Sequence, residues 1–586
     1  MPSYAPPVRD IFFAMVEVAG LAEVAALPGC EDSAELAAPV LDEAAKLASE
    51  VLAPLNPVGD REGCVLENGA VRTPTGFREA YARFVEGGWN GMPFDPEYGG
   101  QGLPWLLTTA VGEMWQAANM AFGLCPLLTQ GTVELLSSHG SAEQKALYLP
   151  PLIEGVWTGT MNLTEPQAGS DLGALRSRAV PDGDAWKITG QKIFITHGEH
   201  DMAENIVHLV LARVPDAPAG PKGISLFIVP KFLPGADGRP GPRNDLRCVS
   251  LEHKLGIKAS PTAVMSFGDG GGATGFLIGE ANRGLEYMFT MMNNARLNVG
   301  LQGVAVAERA YQKARAYARE RVQSRAPGTP GPATIIHHAD VRRMLMTMKA
   351  ETEAARALAL LAARHLDVAK RHPDDATRAY AQRQVDLLIP VVKAWCSEVG
   401  MATADTAIQV HGGMGFIEET GVAQHLRDAR ITAIYEGTNG IQAADLVGRK
   451  LLRDKGFAAR EALAAMRSDV QRAERDLPEI GARLAEGVAA LEAATAWLLA
   501  NAERDPHLPG AASTPYLRLF GTVAGGWVTT RAALAARAGA ADDRFLAAKL
   551  VTARFYADHL LPRAGGFLAA VTAGPQAVMA LAEDDF

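Results

Sequence analysis

The feature of this sequence that most constrains its fold is a change in the spacing of apolar residues, from helical to strand-like and back. From residue 34 to about 157, apolar residues recur at helical spacing between Gly- and Pro-rich breaks. From about Thr158 to Glu280 the period shortens, and Trp186–Thr196 is predicted to form two strands that meet at Gly190. Helical spacing returns from Gly284 onward. Because a single core rarely grows beyond about 300 residues, a chain of 586 residues with this pattern predicts a multidomain α+β protein.

These changes of spacing divide the chain into five predicted segments. An N-terminal arm over residues 1–33 precedes a helical domain over 34–157, a β domain over 158–280, a helical bundle over 281–452 and a helical extension over 453–586. The longest helical patterns of the bundle run over Leu297–Arg321, Ala339–His365 and Tyr380–Gln409. Ser141–Gln144 has the spacing of a capping box, which predicts a helix through Tyr148.

The composition limits the class of protein and its location. The formal net charge of −10 argues against a general nucleic-acid binder, because phosphate binding needs clustered Lys and Arg. The five cysteines are dispersed without a CxxC pair, which is typical of a reducing compartment. Acidic residues interrupt the N-terminal apolar stretch, unlike a signal peptide, and no uncharged apolar run reaches the ~18 residues of a membrane span. We therefore expect a cytoplasmic protein.

Two apparent motifs are better explained by ordinary structure. Gly270–Gly275 matches GxGxxG, but the broken sequence after it does not predict the helix that a dinucleotide site requires, so we interpret it as a flexible loop. His337, His338 and Asp340 lack the Cys or carboxylate partners that would complete a tetrahedral metal site. We therefore predict no metal in this chain.

Two other segments are candidates for chemistry. Met161–Asp171 combines hydroxyls, carboxylates and Gly in a loop, where backbone donors can approach a polar ring or a phosphate. In Ile434–Gln442, Glu436 follows an apolar run and precedes a Gly-rich turn, and apolar surroundings would raise the pKa of its carboxyl towards that of a general base. Taken alone, each segment is better explained by ordinary structure, the first by a turn-rich connection and the second by a helix-capping Glu.

Several motifs, taken in order, resemble the acyl-CoA dehydrogenase family. They cover roughly residues 80–450, and together in family order they are far more specific than any one of them. They are Gly88-Trp89 with Pro96–Leu103, Gly140–Lys145 with Tyr148–Pro150, Thr164–Asp171, Gln409–Gly415, and Ile434–Thr438. The resemblance implies an N-terminal helical domain, a middle β-barrel-like domain and a helical bundle, here followed by an extra C-terminal helical domain.

The resemblance also implies FAD as the cofactor. By matching position, Leu163, Thr164, Ser170, Phe194 and Thr196 would line the flavin, and Phe194 stands where many relatives have Trp. Arg321, Gln409, Gly412 and Gly413 match the positions that hold the adenosine diphosphate part, which the family usually completes from a second subunit, and Thr438 is a further predicted cofactor contact.

By the same match, Glu436 is the predicted catalytic base, which takes the α-proton of an acyl thioester while the β-hydrogen leaves as hydride to the flavin. An α-C–H beside a thioester is a poor acid, so the carbonyl must be polarised as well. Some family members carry the base just before the Arg that corresponds to Arg296, but Ala295 stands there in this chain. The predicted substrate contacts are Ser170, Asn293, Arg296, Tyr435 and Gly437.

The extension after residue 453 resembles the very-long-chain type and a bacterial group that includes 3-methylmercaptopropionyl-CoA dehydrogenases. It implies a homodimer that passes electrons to an electron-transfer flavoprotein, with 3-methylmercaptopropionyl-CoA or a short- or medium-chain fatty acyl-CoA as substrate. An acyl-CoA oxidase using O₂ is one alternative. A flavin-containing DNA-binding or scaffold protein is another, but the extension carries 15 Lys and Arg against 16 Asp and Glu, and is therefore not basic.

Overall fold

The computed structural model describes residues 4–586, so the first three residues of the predicted N-terminal arm lie outside the described part. The first quarter of the chain is mainly helical. Its helices are α1 (Val8–Phe13), α2 (Leu21–Ala25), α3 (Ser33–Lys46), α4 (Ala53–Glu62), α5 (Phe77–Glu86), α6 (Trp105–Ala118), α7 (Met120–His139) and α8 (Ala142–Glu154), with a hairpin of β1 (Val65–Glu67) and β2 (Ala70–Arg72). The Ser141 hydroxyl and the Gln144 side chain both cap α8, which confirms the predicted capping box.

Strands follow, as the shortened period predicts. They are β3 (Trp157–Asn162), β4 (Arg178–Asp182), β5 (Ala185–Thr196), β6 (Asn205–Ala212), β7 (Ser225–Pro230), β8 (Phe232–Pro234), β9 (Pro240–Arg243), β10 (Leu246–Leu251), β11 (Thr262–Phe267) and β12 (Ala273–Leu277). The main sheet has the order β10-β11-β5-β12-β7-β6-β3, with β4 paired to β5. Within it β3 and β6 run parallel, with Trp157 opposite Asn205, and the neighbouring β6–β7 pair is antiparallel.

The second half of the chain is helical again. It contains α9 (Gly284–Glu320), the small hairpin β13 (Val322–Arg325) and β14 (Pro332–Thr334), α10 (Ala339–Arg371), α11 (Asp375–His411), α12 (Ala423–Ala429), α13 (Asn439–Asp445), α14 (Phe457–Asp476), α15 (Pro478–Asn501), α16 (Leu508–Ala536), α17 (Arg544–His559) and α18 (Arg563–Thr572). The three long helices predicted for the bundle correspond to α9, α10 and α11. The predicted fold class is thereby confirmed.

The prediction for Trp186–Thr196 needs one correction, because the segment forms one strand and not two. Strand β5 pairs with β12 at its beginning and with β11 from Gly190 onward, so it bends without ending. Gly190 has a φ of +144°, and a Cβ there would lie 2.4 Å from the Ser177 hydroxyl oxygen. Glycine therefore permits a sharp bend, and the sequence signal of a break marks that bend.

The chain divides into two compact units, each with its own apolar core. The larger unit contains the described residues up to Ala45, together with Pro104–Ala117 and Arg296–Phe586, and the smaller unit contains Lys46–Leu103 and Ala118–Ala295. In the larger unit, one core cluster runs from the bundle into the C-terminal extension. A Cβ added at Gly521 or Gly525 of α16 would lie within 3 Å of the Trp395 ring on α11. The extension thus packs closely against the bundle, with glycines at the contact.

Buried charges connect distant parts of the larger unit. The Arg356 guanidinium on α10 is 1% exposed and donates from Nε to both carboxylate oxygens of Glu113, at 2.9 Å each. It also donates to Glu308 Oε2 at 2.8 Å and to Asp10. One guanidinium therefore joins helices α1, α6, α9 and α10.

Asp10 extends this network to the C-terminal extension. It accepts a second ion pair from Lys549 on α17, whose ammonium also reaches Glu353 Oε2 at 3.0 Å. The Lys549 ammonium lies over the rings of Phe13 and Phe545, 5.4 and 5.1 Å from their centroids. The N-terminal helix is thus attached to both the bundle and the extension by paired charges.

All five cysteines are free thiols, and four of them are buried. Burial raises the pKa of Cys64 to about 12 and that of Cys248 to about 11.

The segment Asp375–Phe416, which includes α11, is the one stretch within residues 4–586 that is long and apolar enough to cross a membrane, but 83% of its most apolar window is buried inside the protein. This burial is typical of a core helix.

We predict that Arg356→Met lowers the free energy of unfolding by about 3–5 kcal/mol, because it leaves buried carboxylates without their cation. Arg518→Met is the matched control, since Arg518 pairs with Glu398 at the surface and its loss is expected to cost under about 1 kcal/mol. Urea denaturation of both variants measures the difference. Equal losses would contradict a central role for the Arg356 network.

Candidate active site

Glu436 lies in a tight turn between two helical segments. The turn follows Arg430–Ala433, where the backbone N–H groups of Ile434 and Tyr435 both donate to the Ile431 carbonyl. Glu436 and Gly437 then have φ values of +57° and +84°, and α13 begins two residues later with Thr438 as its N-cap. Left-handed backbone is costly for a residue with a Cβ. The Glu436 carboxyl is therefore presented by a strained turn.

The Gln442 side chain holds this turn from inside. Its Nε2 donates to the carbonyls of Glu436 and Gly437, at 3.3 and 3.2 Å. The hydroxyl of Tyr435 donates to Gln302 Oε1 on α9. These bonds fix the backbone on either side of the carboxyl, so the strained conformation is maintained by its surroundings.

The Glu436 carboxyl is partly buried, and its charge is opposed by two nearby cations. Burial raises the pKa of this carboxyl to about 7, although Arg296 and Lys393 act in the opposite direction. Arg296 is itself buried and forms an ion pair with Asp445, with 3.6 Å between Nη1 and Oδ2. A carboxyl with a pKa near neutrality is half ionised at physiological pH, so it can accept and release a proton readily.

Sequence reasoning missed Lys393, whose side chain is fully buried on α11. Its ammonium donates to Asn439 Oδ1 at 3.0 Å, three residues beyond Glu436. Burial lowers the pKa of the Lys393 ammonium, and the attraction of Glu436 acts in the opposite direction. The sequence does contain a feature that could have indicated it, because this lysine is the one charge in the apolar run Leu387–Cys396.

In the smaller unit, the loop after β3 is attached to β5. The Ile193 N–H donates to the Thr164 carbonyl at 2.9 Å, and the buried Lys192 ammonium donates to the Leu163 carbonyl at 3.1 Å. Lys192 also forms an ion pair with Glu165, with 2.8 Å between Nζ and Oε1. The predicted flavin contacts Leu163 and Thr164 are therefore placed directly beside the strand that carries Phe194 and Thr196.

Glu165 is the centre of this arrangement. Its carboxylate accepts from the Ser177 hydroxyl at 2.6 Å and from the backbone N–H groups of Arg176 and Ser177, at 2.7 and 3.0 Å. Burial acts to raise the pKa of this carboxyl, but Lys192 and these donors outweigh it and lower the pKa to about 2. Glu165 is thus a permanently ionised anchor for the loop.

Phe194 presents an unusual aromatic surface. It lies on β5 with a φ of +59°, and it is 59% exposed. Two residues on, the Thr196 carbonyl accepts from the Thr160 hydroxyl at 2.6 Å, which fixes the end of the strand. An exposed ring on a fixed strand can stack against another planar ring.

The other predicted contacts lie at element ends or on helix surfaces. Arg321 is exposed immediately after α9, and Gln409 is exposed near the end of α11. A Cβ at Gly412 or Gly413 would find open space within 4 Å, so the backbone there is accessible. The smaller unit thus holds Leu163, Thr164, Ser170, Phe194, Thr196 and Asn293, and the larger unit holds Arg296, Arg321, Gln409, Gly412, Gly413, Tyr435, Glu436, Gly437 and Thr438.

Buried Cys125, His197 and His200 bring potential metal ligands within 4.8 Å of one another. His200 uses both ring nitrogens, however, because Nδ1 accepts from the Met202 N–H at 3.2 Å and Nε2 pairs with the Thr158 hydroxyl at 3.0 Å. Burial lowers the pKa of His197 to about 4, so this ring is neutral. We interpret the group as core histidines.

The GxGxxG motif at Gly270–Gly275 runs into strand β12, where a dinucleotide site needs a helix.

Four family models match successive parts of the chain. They are described as the acyl-CoA dehydrogenase N-terminal domain at residues 39–156, the middle domain at 160–269, the C-terminal domain at 282–452 and an acetyl-CoA dehydrogenase C-terminal-like domain at 462–582. Together these matches cover most of the sequence, in the order of the folded segments.

Individual proteins are similar along almost the whole chain. A 3-methylmercaptopropionyl-CoA dehydrogenase of Ruegeria pomeroyi is 52% identical, over 95% of this chain and 96% of that protein. A broad-specificity linear acyl-CoA dehydrogenase, FadE5, of Mycobacterium tuberculosis is 36% identical over 96% of each. The solved structure of an acyl-CoA dehydrogenase complexed with FAD from Bacillus anthracis is 20% identical, with a TM-score of 0.72 over 94% of this chain and 90% of that one, which shows a shared fold.

The strain at Glu436 predicts an inverted order of stability for two substitutions. Glu436→Gly is expected to be about 1 kcal/mol more stable than Glu436→Ala, because only glycine adopts a φ of +57° without cost. At the exposed helical position Gln471 the order should be the usual one, with Gln471→Gly about 1 kcal/mol less stable than Gln471→Ala. Thermal denaturation of the four variants tests this, and the same order at both positions would contradict it.

Proposed function

This chain belongs to the acyl-CoA dehydrogenase family, and on that basis we propose that Glu436 is the base that takes the α-proton of its acyl-CoA thioester. The family reaction is FAD-dependent dehydrogenation, and its members are oxidoreductases. The observation that carries the assignment is the Glu436 carboxyl, which is held in a strained turn and whose pKa is raised to about 7 by burial. A general base works best when its pKa lies near the operating pH.

The residues of the smaller unit fit a bound flavin. The exposed Phe194 ring offers a stacking surface, and the Lys192–Glu165 ion pair holds the loop of Leu163 and Thr164 beside it. Ser170 and Thr196 are further proposed contacts on the same segments. In the larger unit, the proposed contacts to the adenosine diphosphate part are Arg321, Gln409, Gly412, Gly413 and Thr438. When bound, FAD supplies the acceptor for the hydride.

The proton step is carried out by the chain itself. The Glu436 carboxylate takes the α-proton, and its own backbone N–H is proposed to polarise the thioester carbonyl, which makes that proton more acidic. Tyr435 and Gly437 flank the base, and Ser170, Asn293 and Arg296 are proposed to bind the rest of the substrate. Gln442 holds the backbone of the turn, so the carboxyl is already oriented before substrate binds.

For the substrate, we propose 3-methylmercaptopropionyl-CoA, with short- or medium-chain fatty acyl-CoA thioesters as the second choice. The 52% identity to the Ruegeria pomeroyi enzyme of that name, over nearly the full length of both chains, supports the first. We further propose a cytoplasmic homodimer that passes its electrons to an electron-transfer flavoprotein. The division of the chain into the five predicted segments stays part of this proposal.

The assignment predicts that the visible flavin band bleaches anaerobically when 3-methylmercaptopropionyl-CoA is mixed with the purified holoprotein. Glu436→Gln should bind FAD but bleach about 10²–10⁴-fold more slowly, because the base is lost. Glu474→Gln, the same chemical change at an exposed position of α14, is the control. Bleaching that is unaffected by Glu436→Gln would exclude this residue as the base, and FAD without any bleaching across an acyl-CoA panel would exclude the reaction.

The raised pKa of Glu436 predicts the pH dependence of the same step. Only the ionised carboxylate accepts a proton, so kcat/KM should rise with pH and reach half of its plateau near pH 7, which is about the pKa of this carboxyl. Below that midpoint the rate should fall about tenfold for each pH unit. Steady-state assays at low substrate concentration measure it, and a midpoint at the pKa of about 4.3 of an ordinary Glu would contradict the assignment.

A further inference from the structure

The buried Lys393 has no carboxylate in ion-pair contact among residues 4–586, although it lies beneath the reactive turn. Its side chain is fully enclosed, and its ammonium has the Asn439 amide oxygen as hydrogen-bond partner, at 3.0 Å. A buried ammonium costs several kcal/mol unless an opposite charge is near. A counter-charge is therefore expected close to α11.

Charge balance in this region identifies the counter-charge. The nearby cations are Arg296, Lys393 and the exposed Arg449, and the nearby anions are Glu436 and Asp445. Asp445 pairs directly with Arg296 at 3.6 Å and with Arg449 at 3.4 Å, so its charge is already shared. Glu436 is the acid that attracts Lys393, and it remains as the counter-charge.

A hydrogen-bond network joins Lys393 to the segment that follows Glu436. Lys393 donates to the Asn439 oxygen, while the Asn439 amide nitrogen donates to the Ser397 hydroxyl at 3.0 Å and to the Ala394 carbonyl at 3.2 Å. Asn439 is the first residue of α13, three residues beyond Glu436. The lysine, the asparagine and the turn of Glu436 therefore form one assembly on the surface of α11.

We propose that Lys393 is a positioning residue, whose buried positive charge keeps the Glu436 carboxylate ionised without touching it and so sets the pH range of the reaction. The proposal rests on the role of Glu436 as the base. Because the two side chains make no direct ion pair, the lone pairs of the carboxylate stay free for the substrate proton. A direct ion pair would occupy them.

The other groups around the base do not replace Lys393. On α9, Arg296 pairs with Asp445, which it shares with the exposed Arg449, and it also lowers the pKa of the Glu436 carboxyl, so it acts alongside Lys393. On the turn itself, Tyr435 is neutral because burial and the Glu436 charge raise its pKa. Asp428, the remaining acid near Tyr435, is buried and contributes to the raised pKa of Tyr435. Lys393 is thus the cation near Glu436 without an acid of its own.

The test is the pH profile of kcat/KM in Lys393→Met and Lys393→Gln holoenzymes. Met removes the charge and the hydrogen bond, whereas Gln removes the charge but retains an amide donor for Asn439. Loss of a nearby opposite charge should raise the midpoint of both profiles by about one pH unit or more. The rate should then fall about tenfold below pH 6 and recover near pH 9.

Asn439→Ala is the matched control, because it removes the anchor and retains the ammonium. Its midpoint should stay near that of the unmodified protein, even where its rate and stability fall. A uniform loss of rate in the Lys393 variants, with an unchanged midpoint, would show a merely structural role and overturn the proposal. A shift in Asn439→Ala as large as that in Lys393→Gln would overturn it too, since position and not charge would then be responsible.

A second measurement does not depend on turnover. Infrared difference spectra between the unmodified protein and Glu436→Gln report the carbonyl band of the protonated Glu436 carboxyl, and its titration should move to higher pH in Lys393→Gln. An unmoved titration overturns the role of Lys393 while bleaching by substrate still supports the proposed reaction. Conversely, the titration of Glu436 could move to higher pH in a protein whose flavin is bleached by none of the acyl-CoA thioesters. That result would support the electrostatic role of Lys393 and contradict the proposed function.

Discussion

The Arg356 guanidinium is the interaction on which the larger unit most depends. It is almost inaccessible to solvent, and its carboxylate partners lie on segments that are separated by hundreds of residues in the chain. A buried ion pair gives little net stability compared with well-packed apolar residues, but the loss of one partner is very costly. Such a cluster therefore specifies which segments must meet. Here it requires the N-terminal helix, the bundle and α6 to assemble together, and Lys549 adds the extension.

Each of the two proposed functional regions contains a carboxylate near buried cations, but the two carboxylates differ in how many direct partners they have. In the smaller unit, Glu165 accepts several short hydrogen bonds and an ion pair, so its charge is fully engaged and its carboxyl serves only as an anchor. In the larger unit, Glu436 faces two cations at a distance and has no such direct partners within the described residues. Its carboxyl is therefore reactive. The number of direct donors separates a structural carboxylate from one that can exchange a proton.

Much of this arrangement could be predicted from the sequence. The change of apolar spacing predicted the order of helical and β segments, and the capping box at Ser141 predicted the start of α8. The ordered motifs predicted the family and the turn of Glu436. The bend at Gly190 was misread as a strand break, because a glycine with positive φ interrupts the pattern of side chains whether the strand ends or turns.

The pairing of buried charges could not be predicted in the same way. Lys393 stands out as a lone charge in an apolar run, but its partner comes from another element, and one sequence contains no record of which elements meet. Arg356 and Glu113 lie 243 residues apart, and nothing local to either residue indicates the other. Local patterns determine elements, whereas charge pairs depend on how those elements pack.

The five free thiols, four of them buried and Cys64 partly buried, give the protein a built-in reporter of its own integrity. A thiol reacts with alkylating reagents as the thiolate, and burial both blocks access and raises the pKa of these cysteines. The cysteines are spread across both units, from Cys30 and Cys396 in the larger to Cys64, Cys125 and Cys248 in the smaller. We therefore expect slow labelling of the native molecule, and the position of each newly labelled cysteine identifies which unit has opened.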